Sequence, residues 1–377
     1  MSDDTASKPE DKKITAIQGR IITAAAEIAT NTEPLIEYQH GLFCQLSLPR
    51  SRPQGRVYER HYQHGSIRIE AGALYDGKRW VDQPLPSGPK PRLALIHINS
   101  EAVRTRCPEV EVERSAIKFM EKLGLNVDGG SSYTLFKREL KALSASRFQL
   151  GYESNGNPTT LNTQPIRRFE AWMTAANDPV FWPGVIELSR EYFDDLLKHA
   201  VPLDGRAIRA LSYSAMALDA YSFLARRLHT LKKPIRVTWQ QFHEQFGQEY
   251  MGKRAPLEFK KRWMEGVRAA LAVYPDAKVE QVTGGLTLYP SFPPVHRSSV
   301  AVSIGLADHV QRTLAPPTRT KHLKPATVEQ FCTLYPRLDV YACQEDFDAW
   351  LEGKGKQAHH YDKAFLGFAK VWIKGKI

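Results

Sequence analysis

Six basic side chains between residues 253 and 268 have the types and spacing needed for one cationic surface. They are Lys253, Arg254, Lys260, Lys261, Arg262 and Arg268. Lysine and arginine at this density bind phosphate groups, and each contact with a nucleic acid displaces about one condensed counterion. Arginine also suits guanine, because its planar fork matches two acceptors on that base. These residue types therefore indicate binding of a polyanion.

A helix is predicted to carry these side chains, because apolar residues recur along the segment at spacings of three and four. The apolar face consists of Phe259, Trp263, Val267, Ala270 and Tyr274. Arg254, Lys261 and Arg268 are seven residues apart and fall roughly opposite, while the other three cations flank them. A shorter helix over 238–246 and a turn near Gly247 come first. This pattern predicts a helix-turn-helix that faces a phosphate-lined groove.

The overall charge agrees with this interpretation. The chain has 377 residues, a formal net charge of +11 and a pI of about 9.4. Residues 226–268 contain eleven Lys and Arg but four Asp and Glu, whereas an ordinary solvated helix face mixes both signs. No apolar run approaches the roughly 18 residues that span a bilayer, and the polar start predicts no signal peptide. We therefore expect a cytoplasmic protein that binds double-stranded nucleic acid and no membrane.

A second basic helix is predicted over residues 133–145. Phe136, Leu140 and Leu143 form its buried stripe, while Lys137, Arg138 and Lys141 point away. Helices over 92–106 and 113–123 come before it, and a hairpin over 147–176 follows. Helix, helix, basic helix and hairpin is the order of a winged helix. We expect contacts with phosphates here that do not depend on base sequence.

The same order recurs downstream, which predicts an α+β fold with tandem winged-helix domains. A strand at 185–188, a helix capped by Ser189, helices over 203–211 and 215–228, the basic pair and a hairpin over 278–289 make up the second copy. The predicted organisation is a tail and helix (1–35), winged-helix domain 1 (36–180), winged-helix domain 2 (181–295), a linker (296–323) and a small helical C-terminal module (324–377).

Catalytic motifs are not evident in the sequence. The segment GKGK at 353–356 lacks the hydroxyl residue and the preceding strand of a phosphate-binding loop. His61 and His64 have the wrong spacing for a nickase, which needs two histidines around one residue. Cys332, Cys343, His359 and His360 lack the spacing of a metal site, and scattered thiols are the better interpretation. We expect no enzyme, no cofactor and no metal.

Several segments together resemble the plasmid RepA replication initiators, the broad family that includes IncW-type RepA proteins. The resemblance runs from about Tyr58 to Val295. Its most specific segments are SEAVRT at 100–105, IELSREYF at 186–193, ALDAYSFLARR at 217–227 and residues 239–247. The chain departs from the family pattern at 86–90 and at Glu113 and Arg114, both outside the predicted basic helices.

The resemblance implies an initiator that binds direct repeats, called iterons, at a plasmid origin as a monomer or homodimer. It also implies contacts with the host initiator DnaA and the replicative helicase DnaB. A winged-helix transcriptional repressor would use the same surface, so this alternative stays open at the level of sequence. Several direct repeats beside an AT-rich tract in the flanking DNA favour the initiator, whereas a single inverted repeat over a promoter favours the repressor.

Overall fold

The computed structural model describes residues 14–31, 33–62, 65–113, 116–127, 130–154, 157–169, 185–296, 323, 325–335, 340–353 and 361–372. The predicted tail at 1–13 and nearly all of the predicted linker lie outside this part. The chain divides into two units, Met1–Gly305 and Leu306–Ile377. Each unit has its own cluster of buried apolar side chains.

The larger unit mixes helices and strands. Its described helices are α1 (Ala16–Thr30), α2 (Pro89–Thr105), α3 (Ala116–Lys122), α4 (Gly130–Ala145), α5 (Arg190–His199), α6 (Gly205–Ala210), α7 (Ala215–Leu228), α8 (Trp239–Phe246) and α9 (Ala255–Ala272). Its described strands are β1 (Ile36–His40), β2 (Val57–Tyr62), β3 (Gly65–Glu70), β4 (Ala73–Tyr75), β5 (Trp80–Asp82), β6 (Glu109–Glu111), β7 (Arg147–Ser154), β8 (Asn157–Thr163), β9 (Ile166–Phe169), β10 (Val185–Leu188), β11 (Ala200–Asp204), β12 (Ile235–Thr238), β13 (Val279–Val282) and β14 (Gly285–Leu288).

One order of elements occurs twice in this unit. A helix, a short strand, two helices and two strands occur in this order as α2, β6, α3, α4, β9, β10, with β7 and β8 inserted between α4 and β9, and again as α7, β12, α8, α9, β13, β14. In both copies the last strand is central, since the antiparallel sheets run β6-β10-β9 and β12-β14-β13. The two copies therefore share a topology as well as an order.

The hairpin predicted at 147–176 forms, but it belongs to a different sheet. Strands β7 and β8 pair with each other and join β2 and β3 in a four-stranded antiparallel sheet, β2-β3-β7-β8, while residues 170–176 of the predicted hairpin lie outside the described part of the chain. The strand at 185–188 pairs with β6 and β9 of the first copy. Both pairings join residues far apart in the chain, which local periodicity does not encode.

Helix boundaries follow the capping residues. The Thr238 hydroxyl accepts the Gln241 N–H at 3.2 Å, and the Gln241 side chain accepts the Thr238 N–H at 2.8 Å, which completes a capping box at α8. Ser189 caps α5 as predicted, by accepting the Tyr192 N–H at 3.3 Å. Helix α2 begins earlier than predicted, because Pro89 occupies its first position, where no amide hydrogen is needed.

The sequence pattern predicts a strand at 40–48, a helix over 203–211 and a buried Leu197, and these three local predictions were wrong. Residues 40–48 do not form a strand, because β1 ends at His40 and the following residues make turns in which Leu46 N–H donates to Leu42 O at 2.7 Å. The predicted helix at 203–211 starts only at Gly205, after Asp204 has ended β11 and capped the helix. Leu197 of α5 is 42% exposed rather than buried.

A buried charge cluster ties the N-terminal segments to the second copy. The Asp219 carboxylate on α7 accepts a hydrogen bond from Nε of Arg92 at 2.8 Å and another from Nε of Arg50 at 3.2 Å. Nearby, Glu249 accepts the Arg50 backbone N–H at 3.1 Å and Nη2 of Arg60 at 3.1 Å. These bonds hold the loop before β2, strand β2 and helix α2 against α7 and the loop after α8.

A histidine in α2 makes folding sensitive to acid. His97 is buried with its ring edge against Phe119, at 5.3 Å between centroids, and burial lowers the pKa of His97 to about 4. In the unfolded chain its pKa lies near 6.5, so between these values the unfolded state binds a proton that the folded state excludes. We expect the free energy of unfolding to fall, by on the order of 3 kcal/mol, as the pH falls through this window. Urea unfolding at several pH values measures it, and a His97→Gln variant that keeps the full pH slope would contradict the assignment.

The smaller unit is described as three helices, α10 (Pro325–Leu334), α11 (Val340–Gly353) and α12 (Tyr361–Trp372). Phe331, Phe347 and Phe365 are fully buried, one from each helix. The Trp372 indole donates to the Asp346 carboxylate at 2.7 Å. In the part of the chain that the structure describes, none of the helices combines the length and the apolar character that a membrane crossing requires.

Candidate nucleic-acid interface

Helix α9 carries the basic surface that the sequence predicts. The predicted apolar face is buried, and its centre is Trp263, which stacks on Phe246 at 4.5 Å and on Phe259 at 5.9 Å between ring centroids. Phe242 of α8 lies 5.2 Å from the same indole. This aromatic cluster fixes the rotation of α9 about its axis, and it therefore determines which side chains face outward.

Four cations on the outer side of α9 have no carboxylate partner among the described residues. They are Lys253, Arg254, Lys261 and Arg268, all exposed. Arg254 is the N-cap residue, so it lies at the positive end of the helix dipole. Uncompensated positive charge concentrated in this way favours binding of phosphates.

The other two cations of this helix have partners. The Arg262 guanidinium lies 3.2 Å from the Glu265 carboxylate, in an exposed pair. Lys260 Nζ lies 5.0 Å from the centre of the Trp239 ring, a cation–π contact with the first residue of α8. Trp239 in turn donates its backbone N–H to Gly284 O at 3.0 Å, in the turn between β13 and β14. Lys260 thus connects α9 to that hairpin.

Helix α4 offers less free charge than its sequence indicates. The Arg138 guanidinium lies 3.0 Å from the buried carboxylate of Glu139, and Lys137 Nζ lies 5.1 Å from the Tyr133 ring centre. Lys141 is half-buried, and burial, together with the nearby charge of Lys137, lowers its pKa. The Ser132 hydroxyl donates to Asn126 O at 3.1 Å. The three predicted cations do lie close together, on one turn of helix.

Glu139 was not identified from the sequence, although it organises this region. Its carboxylate also accepts Nη2 of Arg52 at 3.0 Å and the Ser87 backbone N–H at 2.7 Å. A buried glutamate with three partners is costly to leave unpaired. Arg138 is consequently held as a structural partner as well as a surface cation.

A second group of arginines was also missed. Arg226 and Arg227 at the end of α7 and Arg236 on β12 line a pocket of about 280 Å³. The sequence signal was available, because residues 226–236 contain five Lys and Arg and no Asp or Glu. These cations contribute to the predicted positive charge, but the sequence alone does not assign them to a site. Arg226, Arg227 and Arg236 come together only in the folded chain, where the end of α7 and strand β12 line the same pocket.

One histidine cluster has the composition of a metal site. Nε2 of His40 lies 2.7 Å from Asp195 Oδ2, and Nδ1 of His199 lies 3.1 Å from Asp195 Oδ1. The Leu42 N–H donates to Nδ1 of His40 at 3.1 Å, so Nε2 carries the proton and donates to Asp195. A metal bound at Nε2 would displace the proton there, and Nδ1 carries none because it accepts the Leu42 N–H. Histidines that bind a metal through one nitrogen normally donate a hydrogen bond from the other, which His40 could not do. The geometry favours a hydrogen-bonded network that joins β1 to α5.

Most of the side chains near the C-terminus that were considered as metal ligands lie outside the described residues. The side chain of Cys332 and residues His359 and His360 lie outside the described part of the chain. Cys343 is buried in the core of the smaller unit.

Comparison with known proteins finds a family match in the central part of the chain. Residues 85–241 match the family model of the plasmid encoded RepA protein. The match spans the first copy of the repeated order and continues through α7 into the start of α8. It covers less than half of the chain, and the IncW-type subgroup is not distinguished by it.

Two crystal structures of domains 2 and 3 of RctB are similar to this chain. The first, of a selenomethionine derivative, has a TM-score of 0.43 and 10% identity, and the similarity covers 71% of this chain and 97% of that one. The second has a TM-score of 0.40 and 10% identity, with coverage of 66% and 94%. No curated protein matches the chain.

Proposed function

We propose that this protein is a plasmid replication initiator that binds iterons at its origin through tandem winged-helix domains. The match to the plasmid RepA family over residues 85–241 supports the family-level part of this proposal. The exposed cations of α9 support the proposed DNA contacts. We further propose that the protein acts in the bacterial cytoplasm, as a monomer or homodimer, together with DnaA and DnaB.

The repeated topology supports the winged-helix interpretation. Helix, strand, helix, helix, strand and strand, with the last strand central, occurs in both copies. In such a domain the third helix enters the major groove, which corresponds to α4 and α9, and the final hairpin lies beside it. The proposed domains are 36–180 and 181–295, with strand β10 of the second segment completing the sheet of the first.

The outer face of α9 is the observation that carries the proposal. Lys253, Arg254, Lys261 and Arg268 project from it, without a carboxylate partner among the described residues. An exposed face kept only for solubility mixes both signs, and its charges pair. Of the two glutamates on α9, Glu265 pairs with Arg262, and the exposed Glu258 forms no ion pair with the other four cations within the described residues.

The residue types suggest a division of roles. We assign base reading to Arg254, Arg262 and Arg268, since a guanidinium binds the O6 and N7 acceptors of guanine together. We assign contacts with the phosphates to Lys253, Lys260 and Lys261. Lys137, Arg138 and Lys141 of α4 would add backbone contacts, weaker because two of the three have partners within the protein.

Alanine substitutions on α9 test this function. We expect Arg254→Ala and Arg268→Ala each to weaken binding to the cognate repeat by about 1–3 kcal/mol, with relaxed specificity at one base pair. Lys261→Ala should weaken binding to all duplexes alike. Fluorescence anisotropy with cognate and scrambled duplexes measures both effects.

Arg190→Ala is the matched control, because Arg190 is exposed and pairs with Asp194 on α5, outside the proposed DNA-contacting helices and hairpins. Full affinity in all three α9 variants would overturn the assignment of this helix. Protection of a single inverted repeat at a promoter, in place of direct repeats at an origin, would favour a repressor.

A further inference from the structure

The pocket at the end of α7 has an unusual lining. Three arginines, Arg226, Arg227 and Arg236, lie around about 280 Å³, together with the amides of Gln45, Gln241 and Gln245. No carboxylate lines it among the described residues. Glu244 borders the neighbouring hollow, where it accepts a hydrogen bond from Gln240 at 3.0 Å. The pocket is therefore positively charged with no internal counter-ion.

The arginines are not explained by contacts within the protein. Arg226 is half-buried, and neither it nor Arg227 has a side-chain acceptor among the described residues. Within the described residues, Arg236 donates from its side chain to one carbonyl, that of Thr283. Cations in the last turn of α7 interact favourably with the negative end of the helix dipole, but this interaction requires neither Arg236 nor a shared pocket. Three guanidinium groups around one pocket offer several N–H donors and positive charge to an anion bound there.

We propose that this pocket binds a phosphodiester group of the DNA backbone, an inference that rests on the proposed function. Guanidinium groups bind phosphate oxygens in pairs, which favours a phosphate over other anions. The pocket is smaller than the roughly 300–1,000 Å³ typical of sites for whole small molecules, so it suits one group of a larger ligand.

Its location agrees with a ligand that also contacts α9. Arg236 reaches the turn between β13 and β14, and Trp239 donates to Gly284 in the same turn. Lys260 of α9 contacts the ring of the same tryptophan. A continuous path of contacts thus joins the pocket, the hairpin turn and the basic helix.

The test uses the full chain and an origin duplex. We expect Arg227→Gln and Arg226→Gln each to weaken binding on the order of five- to tenfold at about 0.1 M salt, equally for cognate and scrambled duplexes. The slope of log affinity against log salt should become shallower by about 0.9 for each phosphate that the variant no longer binds. Arg190→Gln is the matched control, because Arg190 is exposed and pairs with Asp194 on α5 at 3.1 Å.

A salt slope that stays unchanged in both pocket variants overturns the inference. Failure of the wild-type chain to prefer its own origin would instead contradict the proposed function, and the salt slope on any duplex would still test the pocket. A second arm compares thermal unfolding in inorganic phosphate or ATP with chloride at equal ionic strength. Stabilisation that Arg227→Gln abolishes, with an unchanged salt slope on DNA, would assign the pocket to a free phosphate compound and overturn the backbone assignment.

Discussion

Replacement of Asp219 with alanine is expected to lower the free energy of unfolding by about 3–5 kcal/mol. The carboxylate is buried and bonded to two arginines that are themselves buried, Arg92 and Arg50. Its removal leaves two positive charges without a counter-charge in a medium that solvates them poorly. Arg92 keeps its bonds to Pro49 O at 3.0 Å and Gly88 O at 2.7 Å, but carbonyl groups do not neutralise a cation.

Urea unfolding of the full chain measures the loss. Asp194→Ala is the matched control, because Asp194 forms an exposed pair with Arg190 and should change stability by less than about 1 kcal/mol. Equal stabilities for the two variants would mean that the Arg50–Arg92–Asp219 cluster contributes no more than a surface pair. DNA binding by the folded fraction should be preserved, since none of these groups belongs to the basic face of α9.

Replacement of Trp263 with alanine should have an effect of similar size, about 3–5 kcal/mol. The indole is fully buried between Phe246 and Phe259, and Phe223 meets it edge-on at 6.4 Å between centroids. Alanine leaves a cavity between α7, α8 and α9 that these rings cannot fill without moving. Because the cluster also fixes the rotation of α9, we expect affinity for DNA to fall in the fraction that remains folded.

The Trp263→Phe variant separates the loss of an aromatic ring from the loss of the full size of the indole. The indole Nε1 has no acceptor among the described residues, so phenylalanine removes an unsatisfied buried donor along with part of the ring. We expect this variant to lose clearly less stability than Trp263→Ala in the same unfolding experiment. A loss as large as that of alanine would show that the shape of the indole, rather than an aromatic ring in general, is required.

The sequence was sufficient where the signal is local. The spacing of Phe259, Trp263 and Val267 predicted which face of α9 is buried, because one helix imposes one period on its core. Thr238 and Ser189 predicted helix starts, since a capping hydroxyl acts on amides only three residues away. Helices over 133–145 and 215–228 and the strand at 185–188 were also predicted, but the sheets to which the strands at 147–163 and 185–188 belong were not, and the details at 40–48 and 203–211 were wrong.

The remaining features depend on interactions between distant residues. Nothing near Asp219 indicates that Arg92 and Arg50 will reach it, and nothing near Arg138 indicates a buried Glu139 shared with Arg52. Likewise, Arg236 joins Arg226 and Arg227 only after β12 has packed on α7. Charge counting therefore found the basic helix, but it overestimated the free charge of α4 and did not identify the pocket.

The pairing of β10 has a practical consequence for dissecting the polypeptide. A cut between the two copies near residue 180 would separate Val185–Leu188 from both neighbours, Glu109–Glu111 and Ile166–Phe169. The N-terminal fragment would then expose two unpaired strand edges, which invite association with other chains. The C-terminal fragment would in turn lose Ile36–His40, the partner of Ala200–Asp204. Because strands from both sides of residue 180 pair with each other, the DNA contacts of the two copies are best distinguished by point substitutions in the full chain.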